Sequence, residues 1–178
     1  MYQLMSQVLA FHKKMGQPIG DPRAPDVEVE QEFRLAIIAE EYREFQVALA
    51  GFKKDEEGAL IPFSSTQEHH AAVAQELCDL MVVLAGSAAV WGLDLGTVSD
   101  VLHQSNMSKT PNPKGKAIKG PDFVKPDYQA VMAMIAEEFT TNPEDIGDGE
   151  ECYWPTPRKA RVGSTSAELD AVKKATLP

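Results

Sequence analysis

Apolar residues recur along the chain at spacings of three and four, and no stretch alternates apolar and polar over a useful length. That is the signature of amphipathic helices, not strands. The pattern predicts a first helix over 2–15, closed by Gly16 and Pro18, and a second that Asp26 caps and that runs to about Ala50, before Gly51. A third starts at Ser65 or Thr66, where Gln67 and Glu68 follow as in a capping box, and reaches Val90 or Trp91 before Gly92. A fourth spans Asp94 to about Asn106, and a fifth Tyr128 to Phe139. The links GQPIGDPRAPD and FKKDEEGALIPFSS read as irregular connections, and KTPNPKGKAIKGPDFVKPD is too rich in Pro, Gly and Lys for regular structure. The expected fold is therefore all-α, a four- to five-helix bundle over residues 1–140. An irregular C-terminal tail, 141–178, follows, with at most a short helix at 166–175.

Polar positions break the pattern in two places. In AEEYREFQVAL, at about 100° per residue, Glu41 and Glu44 fall on the same face as Phe33, Ile37 and Ala48, with Glu40 at its border. Arg43 falls on the opposite side. In LCDLMVVLAGSAAV, Asp79 is the lone ionisable acid of a stretch apolar all round, and Glu76 stands one turn earlier. An isolated charge on such a helix costs several kcal/mol, roughly, unless it is paired or coordinated. Residues three apart are neighbours on a helix surface, so Glu41/Glu44 and Glu76/Asp79 each present two carboxylates. Two such helices packed face to face bring four onto one volume. Oxygen-only ligands without Cys or an obligatory His suit a hard divalent cation, Mg²⁺ with Mn²⁺ as the alternative. A single Glu-x-x-Glu is usually a solvated face; two such pairs on apolar faces of adjacent helices are far less expected by chance.

Charge narrows the function classes. The 178 residues carry a net charge of −10, which argues against a general binder of nucleic acid or anionic membrane. The longest uncharged run, Leu80 to Leu93, falls short of the roughly 20 residues a membrane span needs, and the amphipathic N-terminus does not read as a signal peptide. Cys78 and Cys152 form no Cys-x-x-Cys and no disulfide framework. A soluble protein of the reducing cytoplasm is the expectation. Against the acidic background, Lys109, Lys114, Lys116 and Lys119 put four positive charges into eleven residues directly after the fourth helix. Asn106 and Lys109, three apart, are placed to meet at the helix end.

The residues quoted above resemble the metal-binding signature of the all-α nucleoside triphosphate pyrophosphohydrolases, which include MazG proteins, dimeric dUTPases and phosphoribosyl-ATP pyrophosphohydrolase. The likeness extends through FHKKMGQP, EEYRE, ELCDLMVVLAG, HQSNMSK and GKAIKGPDF, covering roughly residues 5–128. The resemblance implies Mg²⁺-dependent hydrolysis of a nucleoside triphosphate to a nucleoside monophosphate and pyrophosphate, by a homodimer or higher homo-oligomer. It implies Glu41, Glu44, Glu76 and Asp79 as metal ligands, Glu40 as the base that activates water or as a further ligand, and Asn106, Lys109 and Lys119, within a phosphate loop at 105–127, as substrate contacts. Phosphoribosyl-ATP or an alarmone as substrate, and a nucleotide-binding or helical interaction protein without turnover, are the competing readings.

Other residues carry less. His12 reads as an exposed or half-buried structural residue more than as a contact to a nucleotide base. His69 and His70 read as solvated, Cys78 as a small packed residue, and Phe45 and Trp91 as core. Asp100 and His103 make one Asp-x-x-His, but no Glu-x-x-His occurs, so a ferritin-like di-iron bundle is disfavoured.

Overall fold

The computed structural model describes residues 1–141, with side chains described as far as Glu137. The expected short helix at 166–175, the tail from 142 onward and Cys152 lie outside the described residues. Five helices dominate: α1 (Tyr2–Met15), α2 (Gln31–Leu49), α3 (Thr66–Val90), α4 (Leu95–Met107) and α5 (Tyr128–Thr141). The fold is all-α. Four short strands decorate it as two antiparallel hairpins, β1 (Phe52–Lys54) with β2 (Leu60–Pro62) and β3 (Thr110–Pro111) with β4 (Ala117–Ile118).

Helix ends follow local chemistry. Gly16 closes α1 in the left-handed conformation, φ 65°, and its N–H reaches back to the carbonyls of His12 and Lys13. Ser65 caps α3: its side chain accepts from the Glu68 N–H at 3.1 Å. The Glu68 carboxylate turns back to the Ser64 N–H at 2.9 Å and to Lys53 Nζ at 2.5 Å, which holds its pKa down at about 2 through those two partners. Asp94 caps α4 by accepting from the N–H groups of Gly96 and Thr97.

The core is built where α1 meets the second half of α3. Met5, Val8, Leu9 and His12 form one stripe of α1, and Ala85, Ala88 and Ala89 receive it, with Val131 and Ile135 of α5 closing the cluster. Small side chains on α3 let its neighbours approach closely. Gly20 takes this furthest, since a Cβ there would stand 2.3 Å from the Val90 carbonyl oxygen. The link between α1 and α2 is thereby pinned to the end of α3, and its Gly20 N–H donates to the Ala89 carbonyl at 2.9 Å.

Three details differ from the sequence reading. The second helix begins at Gln31, not near Asp26, because Glu30 takes a left-handed conformation, φ 53°, while Asp26 spends its carboxylate on the N–H of Glu28 in the link. Two of the three segments read as irregular, FKKDEEGALIPFSS and KTPNPKGKAIKGPDFVKPD, each contain a hairpin; Gly58 and Gly115, both at positive φ, lie in their turns, and the strands are too short to leave an alternation signal. Helix α3 is buried only in its last turns, Ala85 to Val90, whereas Leu77, Met81, Val82 and Leu84 remain exposed in the single chain. Cys78, expected to pack, is exposed for the same reason. Helix α3 is also long and apolar enough to cross a membrane by length and composition; in this fold it packs against α2 and α1.

Candidate metal centre

Helices α2 and α3 run antiparallel, joined by the β1–β2 hairpin. Two contacts, one near each end, fix their register, and the acids lie between them. Near the hairpin, His69 Nε2 lies 2.8 Å from the Ala48 carbonyl oxygen while its ring stacks on Phe63 at 5.1 Å, so this histidine is held in place and not solvated as expected. At the far end, the Arg34 guanidinium lies over Gly86. Between them, carboxylate oxygens of Glu41, Glu44 and Glu76 come within 4.8 Å of one another.

All three are half-buried, and so is Asp79. The raised pKa of Glu41 comes first from burial and then from the charges of Glu44, Asp79, Glu76 and Glu40, in that order. Burial also raises that of Glu76, followed by the charges of Glu44 and Asp79. Asp79 thus acts electrostatically on the cluster although the closest grouping is the other three acids. Glu40 is exposed at its edge, and Arg43, exposed as well, takes no part. Phe33, placed by the helix projection on the same face, is 52% exposed, so the apolar wall beside the acids is open in the single chain.

One cation does approach: Lys54 Nζ, on β1, stands 3.7 Å from Glu44. The sequence reading missed it because a hairpin residue has no helical spacing to betray it. At 59% and 42% side-chain exposure, the pair is screened by water and balances little of the cluster. The donors fit a hard divalent ion. All are carboxylate oxygens, and two oxygens on opposite sides of an ion at ~2.1 Å are about 4.2 Å apart, so the 4.8 Å grouping closes with small side-chain adjustments.

Of the expected substrate residues, Asn106 sits in the last turn of α4 and Lys109 and Lys119 follow the helix. Lys109 Nζ donates to Asn106 Oδ1 at 2.7 Å, the meeting expected from their spacing. Lys119 Nζ lies 5.0 Å from the Phe123 ring centroid, and Gly120 beside it packs on Thr110. Among the described residues no ion pair joins any of these lysines to the four acids. Of two further buried charged or polar groups, Arg34 escaped the sequence reading and His12 is more deeply buried than it gave. Arg34 is 3% exposed and His12 is 2% exposed, against the expectation of an exposed or half-buried histidine. Arg34 had a signal available, since it precedes Glu41 by seven residues and therefore shares its face.

A sequence model of one known family, phosphoribosyl-ATP pyrophosphohydrolase, matches residues 8–106, more than half of the chain, from within α1 through α4, including all four acids. No curated protein matches the chain.

Proposed function

Because the chain belongs to the phosphoribosyl-ATP pyrophosphohydrolase family, we propose that it hydrolyses a nucleoside triphosphate, or a related nucleotide, between the α and β phosphates at the acids of α2 and α3. The products are a nucleoside monophosphate and pyrophosphate. The observation that carries this reading is the convergence of carboxylates from two helices onto one half-buried volume with, among the described residues, a single weak counterion.

In this scheme Glu41, Glu44, Glu76 and Asp79 hold Mg²⁺, or Mn²⁺, through carboxylate oxygens. The metal, when bound, neutralises phosphate charge and makes water more acidic. Glu40, exposed at the border of the cluster, accepts the proton of the attacking water as its oxygen bonds to the α phosphorus and the bridging oxygen leaves with pyrophosphate. Asn106, Lys109 and Lys119 bind phosphate oxygens. The Asn106 side-chain oxygen already orients the Lys109 ammonium, which leaves its other two hydrogens for an anion. Catalysis resides in residues 1–140, the Lys-rich loop 105–127 included.

We further propose a homodimer or higher homo-oligomer as the working form. Leu35, Ile38, Tyr42, Phe45 and Leu49 repeat along α2 at heptad spacing, and Leu35, Tyr42 and Leu49 are 55%, 50% and 58% exposed. Leu77, Met81 and Leu84 continue the open apolar surface on α3. A second copy of the same stripe is the complement such a seam fits. The acidic charge fits a nucleotide substrate better than nucleic acid or a membrane, and the proposed setting is the cytoplasm.

The test is pyrophosphate release with Mg²⁺ from a panel of nucleoside triphosphates together with phosphoribosyl-ATP and an alarmone. Release that Glu41→Gln and Asp79→Asn abolish supports the reading. Tight nucleotide binding without release would instead favour a non-catalytic nucleotide-binding protein.

A further inference from the structure

The register that aligns the acids also aligns a second polar group. Arg34 precedes Glu41 by seven residues on α2, and Gly86 follows Asp79 by seven on α3. Seven residues are two turns, about 10 Å along each helix, on nearly the same face. As the helices are antiparallel, both steps lead the same way from the acid cluster. There α1 contributes His12, whose Nε2 lies over Gly86 next to Arg34 Nη1.

Each of these two buried side chains has one polar edge satisfied and one open. His12 Nδ1 lies 3.0 Å from the Pro18 carbonyl oxygen, which can only accept, so Nδ1 carries the hydrogen and Nε2 of the neutral ring is an acceptor. Nε2 makes no hydrogen bond among the described residues. Arg34 donates Nε and Nη2 to the same oxygen of Glu30, at 3.0 and 2.7 Å. Its Nη1 likewise makes no hydrogen bond among the described residues. Side chains 2% and 3% exposed do not ordinarily leave such atoms idle. Gly86 lets both groups sit close against α3: a Cβ there would stand 3.0 Å from His12 Nε2 and 3.4 Å from Arg34 Nη1.

We infer that His12 and Arg34, facing one another over Gly86, read the edge of the substrate's nucleobase. The inference rests on the pyrophosphohydrolase reading, and the 10 Å step from the acids is one that an extended nucleoside monophosphate spans. The corner offers one acceptor beside one cationic donor. Its complement is an N–H next to a carbonyl oxygen, because the guanidinium bonds most strongly to the electron-rich oxygen while Nε2 takes the N–H. Uracil, thymine, guanine and hypoxanthine carry that lactam edge. Cytosine and adenine offer an amino group next to a ring nitrogen, which serves the guanidinium less well.

The experiment measures kcat/KM for dUTP, dTTP, dGTP and dITP against dCTP and dATP, and in parallel the binding of α,β-imido dUTP and α,β-imido dATP. It is done on wild type, His12→Gln and Gly86→Ala, with Mn²⁺ affinity as the check on the acid cluster. Wild type is expected to favour lactam bases by tenfold or more. In the variants that ratio falls toward one, with Mn²⁺ affinity unchanged. A wild type without lactam preference overturns the inference, as does a preference that survives in folded variants or a uniform loss across all bases. Should wild type release no pyrophosphate, the hydrolase reading fails by itself, and the two imido analogues still decide base reading; equal binding, or none, overturns it. Should neither variant fold, the wild-type ratio decides.

Discussion

Replacing Glu76 by Gln separates a site that is strained when empty from an ordinary wet surface. The substitution keeps shape and removes a charge that burial, Glu44 and Asp79 all disfavour. Two unit charges 4.8 Å apart, the outer spacing of the cluster, repel by roughly 0.9 kcal/mol in bulk water and by roughly 3.5 at an effective dielectric of 20. Half-burial and salt place the real value toward the lower end. Without metal, Glu76→Gln is expected to be more stable than wild type by about 1–2 kcal/mol, or roughly 2–8 °C in Tm. With Mn²⁺ at 100 times its dissociation constant, wild type gains about 2.7 kcal/mol; the variant loses most of that gain, so the order of stability reverses. Differential scanning calorimetry with EDTA and with Mn²⁺ reads both effects. A variant that melts below wild type in EDTA and keeps the full Mn²⁺ shift would refute the reasoning.

The same strain gives a pH dependence. Glu41 and Glu76 have folded-state pKa values above their unfolded ones, so in the window between the two the folded chain holds more protons and its stability falls as pH rises. The metal-free protein should therefore lose stability from about pH 4.5 upward, a loss that urea titration detects and that Mn²⁺ suppresses above that window. Lys109→Ala is expected to raise KM or lower kcat with Tm unchanged, as steady-state kinetics beside a melting curve will show; unaltered kinetics would remove it from the site. Gly20→Ala must push its new Cβ against the Val90 carbonyl, and a loss of about 1–3 kcal/mol in denaturant unfolding is expected. No loss would mean the link does not clamp the end of α3.

How much of this was legible follows from what each residue signals. The five helices were readable because Met5, Val8, Leu9 and His12, or Ala85, Ala88 and Ala89, repeat at helical spacing. Glu41, Glu44, Glu76 and Asp79 stood out since charge on an apolar face is costly, and α2 and α3 do bring three of them together. Lys54 was hidden because a hairpin places it by tertiary geometry. His12 was misjudged because one histidine near a helix end gives no measure of what covers it; only the packing of α1 on Gly86 does. The start of α2 was misplaced because Asp26 has the chemistry of a cap, while Glu30, held by Arg34, fixes the turn. The exposure of the apolar stripe of α2 and α3 was not legible, since periodicity alone cannot tell a face that packs within the chain from one that stays open.

The central claim is that carboxylates of α2 and α3 surround a divalent cation. Anomalous diffraction from crystals grown with Mn²⁺ tests it directly. The account predicts a manganese peak within about 2.5 Å of carboxylate oxygens from Glu41, Glu44 and Glu76, with Asp79 at or beside the ion. A peak bound elsewhere, or none at saturating Mn²⁺, would contradict it.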